Sequence, residues 1–485
     1  MRSALASAVH VEELRSPLSS VQAFSVVARR PYPFFLDSGM GRERLGRYSF
    51  LGAEPFLRLA SRGSQVTCWE EGSTRTYLTN PFDALRDALA RFPTEPTGSP
   101  VPFTGGAVGY LAYDLGRTLE RLPAQAQDDL ALPELYLCFY DAVLAFDHLR
   151  GKAYAVAPEL PGRPPAAQRV ARLKELAREA AALVPTGIQV LPTRSELQGN
   201  FTHEAYLAAV ERAREYIAAG DIFQVNLSQR FDTVWPHPMD SLYLKLRSVN
   251  PSPFAAYLGY PEVAVVSASP ERFLRLEGDR VETRPIKGTR PRGREPGQDA
   301  ALARELAASA KDRAEHVMIV DLERNDLGRV CRYGSVKVSE LMALEEYSTV
   351  FHLTSTVEGR LRAGKGPLDL VRACFPGGSI TGAPKVHAME IIEELEPTRR
   401  SVYTGSIGYI GFDGAMDLNI AIRTILVTKG RAYFQVGGAV VYDSEPEAEY
   451  QETWHKARAL VQALGLGAVI GEGGELPSPF GRGLG

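Results

Sequence analysis

The apolar positions of the chain change period several times along its length. Phe34 to Gly39, Gly46 to Gly52 and the surrounding text from Ala23 to Phe56 read as strands with turn glycines, and Val66 to Leu78 alternates as a strand pair. Leu135 to Val156 predicts two apolar strands with a hairpin at Asp147 to Gly151. Gly105 to Asp114 fits a buried strand or a tight turn. Helical spacing occupies Pro81 to Phe92, with Asn80 as its cap, and Ala166 to Leu183, where Leu173, Leu176 and Ala180 share a face. Residues 1 to about 20 read as a loosely held lead-in. Pro185 to Gln198 has no periodicity, which places a boundary between a region 1–190 and a region 200–465.

Beyond that boundary the pattern predicts a helix capped by Thr202 and ended by Gly220, then a strand from Ile222 to Phe231. Further strands are expected at Phe254 to Tyr260, Val263 to Ser269, Met342 to Glu358, Ser406 to Phe412, Asn419 to Val427 and Arg431 to Val441. Gln298 to Val320 predicts one long helix, and Gly366 to Phe375 and Ala383 to Leu395 two short ones. Pro446 to Leu464 closes the region, with Ser444 and Glu447 as a capping box and Ala457, Leu460, Val461 and Leu464 as its apolar stripe. The Gly/Pro-rich residues 466–485 are expected to be a disordered tail.

Composition narrows the function classes. A net charge of -3 argues against non-specific nucleic-acid binding, and no apolar run reaches the roughly 20 residues that span a bilayer. The start lacks a secretory h-region, so the cytoplasm is the expected compartment. Cys68, Cys138, Cys331 and Cys374 are widely spaced and suggest core residues, not a metal site or a thiol nucleophile.

Several stretches carry candidate chemistry. In Glu282 to Gly293, Lys287 stands among Arg284, Arg290 and Arg292; like charges would lower its pKa and suit it to act as nucleophile or base. A solvated basic loop is the competing reading. Glu449, Glu452 and Lys456 fall on one face of the closing helix, and Asp312 and Glu315 on one face of the long helix. Carboxylates from two helices, without His or Cys, suit magnesium; ordinary surface charge is the alternative. Pro376 to Lys385 could hold an anion on its backbone N–H groups, and Val436 to Val440 could present backbone to a ligand or pack against a neighbouring strand.

Taken together, Gln224-Val225-Asn226-Leu227-Ser228, Ser269-Pro270-Glu271-Arg272-Phe273, Pro285 to Gly293, Glu315 to Leu322, Gly378 to Lys385 and Ser444 to Lys456 resemble the chorismate-utilising enzymes. That family includes anthranilate synthase large subunits, aminodeoxychorismate synthase components I, and isochorismate and salicylate synthases. The resemblance runs from about Phe201 to Leu464, and Phe34 to Pro55 resembles the amino-terminal region of the two ammonia-using types. It implies a large α+β fold of stacked antiparallel sheets flanked by helices, with the site in a cleft between them.

The resemblance also implies roles. Gln224 stands where water-adding members have lysine, which points to ammonia as the incoming nucleophile. Lys287, where anthranilate synthases have alanine, implies covalent attack at C2 of chorismate, so that ammonia then enters at C4 to give 4-amino-4-deoxychorismate. Glu271 would be the acid/base group, and His352 would assist the departing hydroxyl. Glu315 and Glu452 would bind Mg2+, with Asp312 (glutamate in many relatives) and Glu449 acting through water. Tyr403, Arg423 and Lys456 would hold the substrate carboxylates, helped by backbone N–H groups of Gly437 and Ala439, with Thr289, Ser379 and Thr381 lining the pocket. A separate glutamine amidotransferase subunit would supply ammonia in a heterodimer. Anthranilate synthesis and a silent chorismate-binding subunit are the alternatives.

Overall fold

The computed structural model describes residues 9–466 except 16–17, 41–44, 97, 184–195, 294 and 348–349. Most of the expected boundary at Pro185 to Gln198 and nearly all of the expected tail therefore lie outside the described residues. Two twelve-stranded sheets, antiparallel in every pairing of their named strands, are stacked with helices on their outer faces, as expected. The first sheet runs Val9–Glu13, Lys152–Pro158, Val143–Asp147, Tyr48–Gly52, Phe34–Asp37, Phe254–Gly259, Ala264–Ser269, Thr424–Thr428, Arg431–Val440, Gln224–Val234 and Gln198–Gly199, with Gly382–Ala383 beside Gln224–Val234. The second runs Ile286–Pro291, Val350–Arg360, Arg280–Arg284, Arg272–Glu277, Met416–Asn419, Ser406–Gly411, Gly106–Leu111, Leu135–Tyr140, Leu57–Arg62, Gln65–Glu70 and Ser73–Leu78, with Lys337–Glu346 beside Val350–Arg360. Strands from both sides of the sequence boundary share each sheet: Leu36 pairs with Ala256, and Tyr110 with Ile407.

Burial on both faces explains why many strands read as continuous apolar runs. In Leu135–Tyr140, Leu135, Leu137 and Phe139 face the helices outside, while Tyr136, Cys138 and Tyr140 face the other sheet. A one-residue slip would exchange these two sets, so the register is strongly fixed. The layer between the sheets is rich in tyrosine, and Tyr140 and Tyr260 donate their hydroxyls to the carbonyls of Tyr32 and Val108. That satisfies these two polar ends, whereas the buried Tyr110 hydroxyl of the same layer has no partner among the described residues. Cys138, Cys331 and Cys374 are buried, as core residues should be. Among the described residues, no helix is long and apolar enough to cross a membrane.

Local departures from the expected elements have identifiable causes. The apolar text after Leu135 turns from the second sheet into the first at Asp141 and Ala142, giving three strands instead of two. Ser20–Val27 is a helix, not strand, because Ser19 and Gln22 form a capping box. The long helix is two, Pro296–Ala308 and Ala310–Gly328, parted by Ser309, whose hydroxyl accepts from the Asp312 N–H at 3.2 Å. The expected Ser444–Glu447 box is absent. Ser444 instead donates to Glu449 Oε1 at 2.7 Å, accepts from the Val441 N–H, and leaves Glu445 at the cap. Asn80 and Thr202 cap their helices as expected.

Candidate active site

The chemistry-bearing residues gather where the chain passes between the sheets. Glu271 lies on the crossing from Ala264–Ser269 of the first sheet to Arg272–Glu277 of the second, and Arg423 on the return from Met416–Asn419 to Thr424–Thr428. The crossings are stitched together by Ile420 N–H to Glu271 carbonyl and Ala268 N–H to Arg423 carbonyl bonds, both 3.0 Å. Arg423 adopts a left-handed φ of 53°, which costs a non-glycine residue energy and marks a position held by its surroundings.

Lys287 is aimed by a β-bulge. Its strand pairs Lys287 with Leu353 and Thr289 with His352, leaving Gly288 unpaired at φ 79°. A Cβ there would stand 2.8 Å from Leu306 Cδ1 and 3.2 Å from Asp312 Oδ1, so glycine is required. Lys287 is largely buried, with Nζ 3.8 Å from Glu315 Oε2. Its pKa is lowered, first by desolvation; Lys456 adds to this, while Glu315 opposes it. The expected lowering is present, but its cause is burial and not the arginine cluster. Arg284, Arg290 and Arg292 are paired with Glu345, Glu305 and Asp299.

Glu271 is 5% exposed, and burial pushes its carboxyl up to about 7 although Ser379 donates to Oε1 at 2.7 Å. It therefore holds a proton in a large fraction of molecules at neutral pH. Burial lowers His352 to about 4, so the imidazole is neutral there, with Nδ1 2.9 Å from Thr289 Oγ1.

Carboxylates from two helices converge electrostatically. Burial raises Glu315 and Glu449, and each is raised further by Glu452. Glu452 is lowered, chiefly by Lys456, whose Nζ lies 2.5 Å from its Oε1. Glu449 Oε2 is buried with no hydrogen-bond partner among the described residues, and it would stand 2.8 Å from a Cβ at Gly438. Gly438 thus lets the closing helix Pro446–Ala463 press against the strand, which is the close-packing reading of that stretch. Hard oxygen donors with one unpaired oxygen fit a magnesium ion. Among the described residues no group of three or more His, Cys, Asp or Glu side chains is placed to hold a metal ion. Asp312 is engaged by Arg290 Nη2 at 3.1 Å.

The remaining expected residues line the same region. Gln224 is fully buried, and both amide atoms lack partners among the described residues. Arg423 donates to the Lys456 carbonyl at 2.8 Å, and Lys456 Nζ donates to the Gly437 carbonyl at 2.8 Å. Tyr403 is buried, which raises its phenol. Ala439 pairs with Asn226 on the neighbouring strand. Thr381 is turned inward, donating to the Gly377 carbonyl at 3.0 Å. Asn226 was not among the expected residues, yet its Oδ1 is also buried and unpartnered. Gln224, Asn226 and Ser228 alternate with Val225 and Leu227, so the polar face was readable. A cavity of about 610 Å³ elsewhere between the sheets, lined by Asp37, Arg47, Arg275 and Asp417, contains none of the expected residues.

The chain belongs to the chorismate binding enzyme family, whose model matches residues 33–462. The match extends through the amino-terminal half as well as the region from Phe201. Anthranilate synthase component 1 of Thermus thermophilus is 46% identical over 457 residues, covering 93% of this chain and 96% of that one. Aminodeoxychorismate synthase component 1 of Bacillus subtilis is 42% identical over 454 residues, covering 92% and 95%. The crystal structure of anthranilate synthase component I from Streptococcus pneumoniae aligns with a TM-score of 0.75 at 31% identity, covering 92% of this chain and 98% of that one.

Proposed function

We propose that the chain aminates chorismate at C4 to form 4-amino-4-deoxychorismate, as an aminodeoxychorismate synthase component I. The observation that carries this reading is Lys287: a buried lysine with a lowered pKa, aimed by a bulge toward the acidic groups of the site. Desolvation favours the neutral amine, which is the nucleophilic form.

In the first step Lys287 Nζ bonds to C2, each ring double bond moves one position, and the C4–O bond breaks. Protonated Glu271 supplies the proton that lets the hydroxyl leave as water, and neutral His352 donates a hydrogen bond to the departing oxygen. Ammonia then bonds to C4, the double bonds return, and the C2–N bond to Lys287 breaks. Gln224 offers its unpartnered amide to the incoming ammonia, while Arg423, Tyr403 and Lys456 orient the carboxylates. Glu315 and Glu452, with Glu449 through water, would hold a magnesium ion whose charge draws electron density toward the ring carboxylate. Ammonia would come from a separate glutaminase subunit, so the isolated chain should work with ammonium salts.

Anthranilate synthesis is the second reading, favoured by the 46% identity to the Thermus thermophilus relative. The test is the product formed from chorismate by the purified chain with magnesium and ammonium, separated chromatographically and identified by mass. A non-aromatic amine that retains the enolpyruvyl group supports the proposal. Fluorescent anthranilate with released pyruvate would replace it with the second reading.

A further inference from the structure

We propose that Arg400, paired with Glu396, is a positioning residue that locks three walls of the site into one rigid unit; this rests on the site reading above. The side chains of both are 1% exposed. All five guanidinium N–H groups are used. Nε donates to Glu396 Oε2 at 2.9 Å, and Nη2 donates to Glu396 Oε1 and the Asn226 carbonyl, both at 2.6 Å. Nη1 donates to the Ile380 carbonyl at 2.9 Å and to Thr404 Oγ1 at 3.3 Å. Glu396 Oε1 also accepts from the Ser228 N–H at 2.9 Å and its hydroxyl at 2.7 Å.

Each contact ends on a segment that carries a reacting or binding group. Asn226 and Ser228 continue the strand face that begins with Gln224. Ile380 lies between Ser379, the Glu271 partner, and Thr381. The guanidinium also stands over the rings of Tyr403 at 5.8 Å and Tyr113 at 4.8 Å. A buried ion pair contributes little net stability relative to an apolar replacement, so stability alone does not account for this one. A planar five-donor fork can fix three segments at once, whereas an ammonium presents three donors from one point. Displacement of reacting groups by about 1 Å costs roughly a hundredfold in rate.

The test compares Arg400→Lys with Arg169→Lys in the full chain. Arg169 is also a buried fork, 4% exposed against 2% for Arg400, and donates to the carbonyls of Pro164, Asp141 and Pro158. Thermal midpoints, kcat and KM for chorismate are measured with magnesium and ammonium, well below each midpoint. Arg400→Lys is expected to lower kcat by roughly a hundredfold, while Arg169→Lys loses thermal stability and keeps kcat. Equal losses of kcat in the two, or an unchanged kcat in folded Arg400→Lys, would overturn the proposal. If Arg400→Lys does not fold, Ser228→Ala decides, because it removes the hydroxyl bond from the strand to Glu396 Oε1 and leaves Arg400 in place: a lower kcat supports the lock and an unchanged kcat removes it. A wild-type chain that does not consume chorismate would instead refute the functional reading, and the same assay shows this first.

Discussion

Removal of the Ser379 hydroxyl should make the reaction more tolerant of alkali. Ser379 donates to Glu271 Oε1 at 2.7 Å, a bond that favours the carboxylate and opposes the burial that raises its pKa to about 7. An ordinary glutamic acid would be protonated in about one molecule in 300 at pH 7, whereas this one is protonated in about half, a difference worth ~3 kcal/mol. Because the folded pKa is raised, the acid form dominates below about 7 and is lost as pH rises through it. A hydrogen bond to a charged group contributes ~1.5 kcal/mol or more, so Ser379→Ala should move the alkaline limb up by about one pH unit. At pH 8 the protonated fraction would rise from about one-tenth to about one-half, roughly a fivefold gain relative to the rate at low pH. The assay is kcat/KM for chorismate from pH 6 to 9, with free ammonia held constant. Glu271→Gln should lose the limb altogether and lower the rate by ~10²- to 10⁴-fold. A limb that stays put or moves to lower pH in Ser379→Ala, or that survives in Glu271→Gln, would refute the assignment of Glu271 as the acid.

Two further perturbations test neighbouring parts of the site. Glu323 is 3% exposed, accepts from Thr283 Oγ1 at 2.9 Å, and is raised by burial to about 8, so the folded chain holds a proton that the unfolded chain releases above about 4.5. Stability should therefore fall by at most ~1.4 kcal/mol per pH unit across that window, and Glu323→Gln should flatten the slope in denaturant titrations; equal slopes would count against a buried neutral acid. Gln224→Leu removes two buried unpartnered amide atoms and should raise the KM for ammonium by ~10-fold or more while leaving stability unchanged or higher. An unaltered ammonium KM would argue against a role at the amination step.

The fold and site differ in what the sequence exposes. Helix caps are local, so Asn80 and Thr202 could be read directly, and Lys287 stood out by its unusual neighbours, whereas Gln224 as a site residue came only from the family resemblance. What pairs with what was not local. Tyr136 and Leu137 face different layers only because a second sheet lies on one side, and nothing in Leu135 to Val156 announces a switch of sheets at Asp141. Burial of Lys287, not its arginine neighbours, lowers its pKa, and that burial comes from the packing of the two following helices against its strand, which the local charge pattern does not reveal. The Ser444 hydroxyl had two partners within reach, and the Glu449 carboxylate displaced the expected cap. Arg400 escaped notice because Pro-Thr-Arg-Arg reads as an ordinary polar turn until Asn226 and Ile380 are brought against it.

The most direct test of the account is the mass of the chain after incubation with chorismate and magnesium in the absence of ammonia. Covalent attack by Lys287 predicts a gain equal to chorismate less one water, mapped to the peptide containing Lys287, discharged by added ammonium and missing from Lys287→Ala. Amination of chorismate at undiminished rate by Lys287→Ala, or a wild-type chain that turns over on ammonium addition yet never carries the adduct, would contradict the central claim.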